Sequence, residues 1–123
     1  MRLRYLYQQQ WTETIVDGHD KRVWSERVKP GWLLEVHTCY LHAPESAKGD
    51  VLHLHVERGG QDLVLRSRAR DAAKQGMSAM VPFHIGEHQR ISGHAPDADN
   101  GDEITLNVCG AMIPLKKWRK GKV

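Results

Sequence analysis

The chain has 123 residues, 40% hydrophobic and 27% charged. That composition fits one soluble globular domain and argues against a disordered or fibrous chain. Its formal charge of +3 is carried by the tail: without Lys116, Lys117, Arg119, Lys120 and Lys122 the remainder sums to −2, short of the cation density of a dedicated nucleic-acid binder. No apolar run has the length of a membrane span, and Met1–Tyr5 lacks the apolar stretch of a signal peptide.

In chain order, Arg2–Thr14, carrying Tyr5, Tyr7 and Trp11, reads as an extended arm or edge strand able to join a neighbour's sheet. Turn signals follow at Asp17-Gly18 and Pro30-Gly31. In Val51–Glu57, Leu52, Leu54 and Val56 alternate with His53, His55 and Glu57, the period of a half-buried strand. Arg58-Gly59-Gly60-Gln61 is a two-residue hairpin turn. Pairing across it sets Val56 opposite Leu63 and Glu57 opposite Asp62, so like faces match. Arg68–Gln75 is the one helical candidate. Met77, Ala79, Val81, Phe83 and Ile85 form one strand face; Ile104, Leu106, Val108 and Met112 form another. Ala95–Gly101 reads as a surface loop. The sum is an all-β domain, an antiparallel β-sandwich of about eight strands. Residues 1–25 are expected as an arm and first strands, 26–113 as the sandwich core and 114–123 as a basic tail.

Eight histidines invite a metal reading. His53, His55 and Glu57 share one strand face and could offer two imidazoles and a carboxylate to one ion, with His84 or His88 approaching from a later strand. The cluster partly resembles the cupin metal motif, but Glu57 follows His55 by only two residues, Gly49 lies too near, and Pro82, Gly86 and His88 have the wrong spacing. The core face of Leu52, Leu54 and Val56 turns these histidines outward, so no cofactor is expected. Ser25, Ser46, Ser67, Ser78 and Ser92 lie outside any nucleophile-elbow context. Two cysteines, Cys39 and Cys109, are too few for a disulfide framework and read as small buried thiols; a bridge would need neighbouring strands. Asp97, Asp99, Asp102 and Glu103 lack the spacing of a Ca²⁺ loop. No catalytic constellation is expected. Lys116, Lys117, Trp118, Arg119 and Lys120 suit an acidic protein surface such as a neighbouring subunit. Trp11, Trp24, Trp32 and Trp118 suit core, interface or sugar-stacking roles.

Val28-Lys29-Pro30-Gly31-Trp32-Leu33-Leu34-Glu35-Val36, the Val51–Leu65 hairpin, Phe83–Ile91 and Gly101–Gly110 together resemble the strand layout of small jelly-roll virion proteins of tailed bacteriophages. The resemblance spans Glu26 to Met112 and is one of layout. It implies a non-enzymatic structural protein of the virion, assembled in the host cytoplasm: a capsid decoration or head–tail component forming a homo-oligomer on major capsid or other virion proteins. Tyr5, Tyr7, Trp11 and the tail residues 116–120 would supply its contacts, without membrane or nucleic acid. A cupin-like metal enzyme and a carbohydrate- or receptor-binding module are the alternatives.

Overall fold

The computed structural model describes residues 3–43, 51–69, 76–78 and 82–115, without the side chains of 66–69. Nine strands appear: β1 (Tyr5–Thr14), β2 (Arg22–Trp24), β3 (Trp32–His42), β4 (Val51–Arg58), β5 (Gln61–Ala69), β6 (Gly76–Ser78), β7 (Phe83–Ile85), β8 (Arg90–His94) and β9 (Glu103–Pro114). Sheet A runs β1-β9-β3, with β6 and β7 both pairing β3; sheet B runs β2-β8-β4-β5. Every pairing is antiparallel. The chain crosses between sheets at nearly every connection, the jelly-roll order. The expected antiparallel sandwich is therefore present. β6 pairs Tyr40–His42 and β7 pairs Leu34–Val36, so two short strands fill one strand position and eight positions hold nine pieces.

Alternation builds the core. Leu34, Val36, Leu41, Ile104, Leu106 and Val108 of sheet A meet Val23, Leu52, Leu54, Val56 and Ile91 of sheet B, all almost fully buried. Each such side chain stabilises the fold by about 1.5–3 kcal/mol relative to exposure. In β3 the inward residues switch from even (Leu34, Val36) to odd (Cys39, Leu41). A register shift between Val36 and Thr38 makes the switch and leaves His37 as the extra residue. The β4–β5 hairpin pairs Val56 with Leu63 and Glu57 with Asp62, as expected. Gly59 and Gly60 have φ of 55° and 81°, which side chains disfavour in succession. A second shift, between Leu54 and His55, inserts Leu65 into β5. The helix expected over Arg68–Gln75 is corrected at its start: Arg68 and Ala69 close β5, pairing Leu52 and Val51. Residues 70–75 lie outside the described residues.

Candidate functional site

A sheet edge presents unpaired backbone donors and acceptors, so edges are where a sandwich meets partners. The described edges differ in how they are guarded. β2, β6 and β7 are three residues each. β5 carries the bulge at Leu65 and two arginines in its sequence, Arg66 and Arg68. β1 has ten residues and pairs β9 in unbroken register from Tyr5↔Met112 to Thr14↔Glu103. It contains no proline, lysine or arginine, and its single charge is Glu13. Leu6 is 83% exposed and Tyr5 50%.

Register sets which face each β1 side chain takes. Tyr5, Tyr7, Gln9 and Trp11 lie on the core-facing side, opposite Met112, Gly110, Val108 and Leu106. Because β2 is so short, this side is only partly roofed. Tyr5, Tyr7 and Gln9 therefore wall an open cleft of about 300 Å³ with Glu26, Lys29 and Trp32. Tyr5 packs edge-on against Trp32, centroids 5.6 Å apart. The Tyr7 hydroxyl donates to Glu26 Oε1 at 3.0 Å. Burial first, and that carboxylate second, push the Tyr7 phenol up from its ordinary value. Trp11 packs half-buried against the core.

The histidine cluster takes a different shape from a metal site. His53, His55 and Glu57 do share the outer face of sheet B, but Glu57 is committed to Arg27 at 2.6 Å and Arg90 at 3.1 Å. Arg90's hydrogen bond, then Arg27's, hold its carboxyl below the ordinary range. His94 joins instead, directly opposite His53 on β8. The rings stack, His53 on His94 at 5.6 Å and on His55 at 5.8 Å, whereas imidazoles bound to one ion aim their nitrogens at a common point. Among the described residues no three His, Cys, Asp or Glu side chains form a metal-holding group. Arg22 reaches across this face from β2, contacting Ser92 Oγ at 3.3 Å and Asp62 at 3.1 Å. His55 is 8% exposed and its Nδ1 lacks a hydrogen-bond partner. Burial chiefly, and Arg22 next, depress the affinity of His55 and His94 for a proton. Trp24 lies beneath Arg90, whose Cζ is 3.8 Å from the ring centroid.

His84 lies on the other sheet, away from His53. There Glu35 gathers Arg4 (2.8 Å), His37 (2.7 Å) and His84 (3.1 Å). Hydrogen bonds from His37 and then His84 hold the Glu35 carboxyl below its ordinary value. The i, i+2 spacing of Glu35 and His37 is the sequence signal of this cluster; Arg4 and His84 join it through the fold. Cys39 and Cys109 sit on adjacent strands, with Cys39 opposite Val108 and Cys109 opposite Thr38. They face opposite sides of sheet A, and both are free thiols. Burial pushes the Cys39 thiol up to about 12. Asp97 and Asp102 accept backbone amides of Val51 and Asp99. The tail residues Lys116, Lys117, Trp118, Arg119 and Lys120 lie outside the described residues.

No family model and no curated protein matches the chain. Among solved structures, the chain is similar to the Drosophila NLP core at 9% identity and a TM-score of 0.46. The match covers 88% of this chain and 97% of that one; the fly protein's structure is described as giving insight into pentamer formation and histone binding. The expected role in a phage virion is corrected accordingly: the similar solved structure is that of a fly protein described by histone binding, and the virion reading is not carried further. The physical reason is that jelly-roll layout is shared by sandwiches of unrelated function, so layout carries no virion assignment.

Proposed function

We propose that the chain is a non-catalytic assembly module whose copies associate through the edge of sheet A. The observation that carries this is β1, the one long described edge without bulge, proline or basic guard. Its exposed Leu6 and Tyr5 add apolar area beside free backbone groups. The polar clusters support a non-catalytic reading. Glu35 and Glu57 are held by cations. The Ser25 hydroxyl is engaged by backbone groups, donating to the Glu26 carbonyl and accepting from the Ile91 amide. Sedimentation of the full chain over a wide concentration range tests the reading. Reversible self-association is expected; a chain that stays monomeric throughout overturns it.

A further inference from the structure

Resting on that reading, we infer that the partner at β1 is β1 of a second copy, paired antiparallel about a two-fold axis through Gln9. An antiparallel pair related by a two-fold axis is isologous, so residue i of one strand meets a fixed complement on the other. Opposed residues point to the same side of a sheet. The core-facing residues Tyr5, Tyr7, Gln9 and Trp11 must therefore meet core-facing residues of the second copy.

Three symmetric registers centre within the glutamine run Gln8-Gln9-Gln10 and can be compared. Centring on Gln9 sets Tyr7 opposite Trp11, Tyr5 opposite Glu13, Leu6 opposite Thr12, and Gln8 opposite Gln10. Centring on Gln8 sets Tyr7 against Gln9 and Leu6 against Gln10; centring on Gln10 sets Trp11 against Gln9 and Tyr7 against Glu13. Two registers join aromatic side chains twice, Gln9 through Tyr7 with Trp11 and Gln8 through Tyr5 with Trp11, a pairing that contributes about 0.2–1 kcal/mol each time it occurs; only the Gln9 register also sets all three glutamines against glutamines. It brings no like charges together, because Glu13, the strand's single charge, meets Tyr5. Gln8, Gln9 and Gln10 are all exposed and can pair amide to amide across the axis. Both copies of sheet A would then form one continuous sheet through the joint.

Cross-linking reads the register. The background is Cys109→Ala, because Cys109 lies opposite Gln8 within one copy. In an antiparallel pair, opposed Cα atoms are about 4.5–5.5 Å apart, within disulfide reach. Under mild oxidation Gln9→Cys should form a covalent dimer. Gln8→Cys and Gln10→Cys should each stay uncoupled alone, but couple with one another when mixed. Gln9→Lys places two ammonium groups at the axis and should weaken self-association at least tenfold, with the thermal unfolding of the monomer unchanged. Self-association of the wild-type chain without Gln9→Cys coupling, or with Gln8→Cys coupling to itself, overturns this register and leaves the assembly reading standing. A strictly monomeric wild-type chain overturns both.

Discussion

Replacing Gly93 by alanine tests how the two sheets face each other. Gly93 sits on β8, opposite Val23 and Leu54 within sheet B. A Cβ added there would fall 2.5 Å from Leu41 Cδ1, 3.1 Å from Cδ2 and 3.2 Å from Cγ. Carbon atoms prefer about 3.5–4.0 Å, so the leucine must move by roughly an ångström. Leu41 is completely buried, which leaves it little room. Overpacking of this kind costs about 1–3 kcal/mol. Leu41→Ala alone removes the obstacle but leaves a cavity, at a cost of about 2–5 kcal/mol. In the double variant the new methyl enters space the leucine vacated. Its loss should therefore be smaller than the sum of the single losses by at least about 1 kcal/mol. Urea denaturation of the four proteins at one fixed concentration measures the cycle, since self-association would otherwise shift apparent stability. Additivity within about 0.5 kcal/mol would refute the inter-sheet contact and the packing built on it.

Two further outcomes are expected. In the unfolded chain His55 and His94 titrate near the ordinary value of 6.5, and in the fold they bind a proton less readily. The unfolded state therefore takes up protons first as pH falls. Stability should hold above that value and decline as pH drops from 6.5 through the depressed folded values. Urea midpoints across this window check the sign: a decline that persists in a His55→Gln, His94→Gln variant would show that other groups cause it. Native protein treated with a maleimide at mildly alkaline pH should label at Cys109 alone, because Cys39 is 1% exposed and its thiol is pushed up to about 12. Adding urea should expose the second thiol, and equal labelling of both in the native state would contradict the inward placement of Cys39.

Local regularity was legible in the sequence. Side chains alternate across a strand, so Leu52, Leu54 and Val56 announced a buried face and sent His53, His55 and Glu57 to the other side. Paired glycines at 59 and 60 announced the hairpin, because their backbone angles suit few other residues. The switch of inward residues between Val36 and Cys39 also lay in the sequence, as a change from even to odd apolar positions, and it marks the bulge at His37. What stayed hidden is non-local. Glu57's partners are Arg27 and Arg90, and Arg22 reaches Asp62, 40 residues away. His94 meets His53 only because β8 lies beside β4. Strand order decides such contacts, and alternation within a strand does not encode it. Nor does alternation reveal that β1 ends its sheet, the fact on which the proposed association turns.

The placement of charge favours an edge over either outer face for the proposed assembly. Sheet B's outer face holds Glu57 with Arg27 and Arg90, and Arg22 with Asp20 and Asp62. Sheet A's outer face holds Glu35 with Arg4, His37 and His84. A partner laid flat on either face would strip water from these charged groups, which costs free energy. Pairing at β1 makes no such demand. Its backbone groups exchange water for a strand partner, and its central side chains, from Tyr5 to Thr12, carry no charge. Arg4, the cation next to β1 in sequence, is held on Glu35. Edge pairing of the proposed kind would therefore gather hydrogen bonds and aromatic contacts while both charge clusters stay solvated.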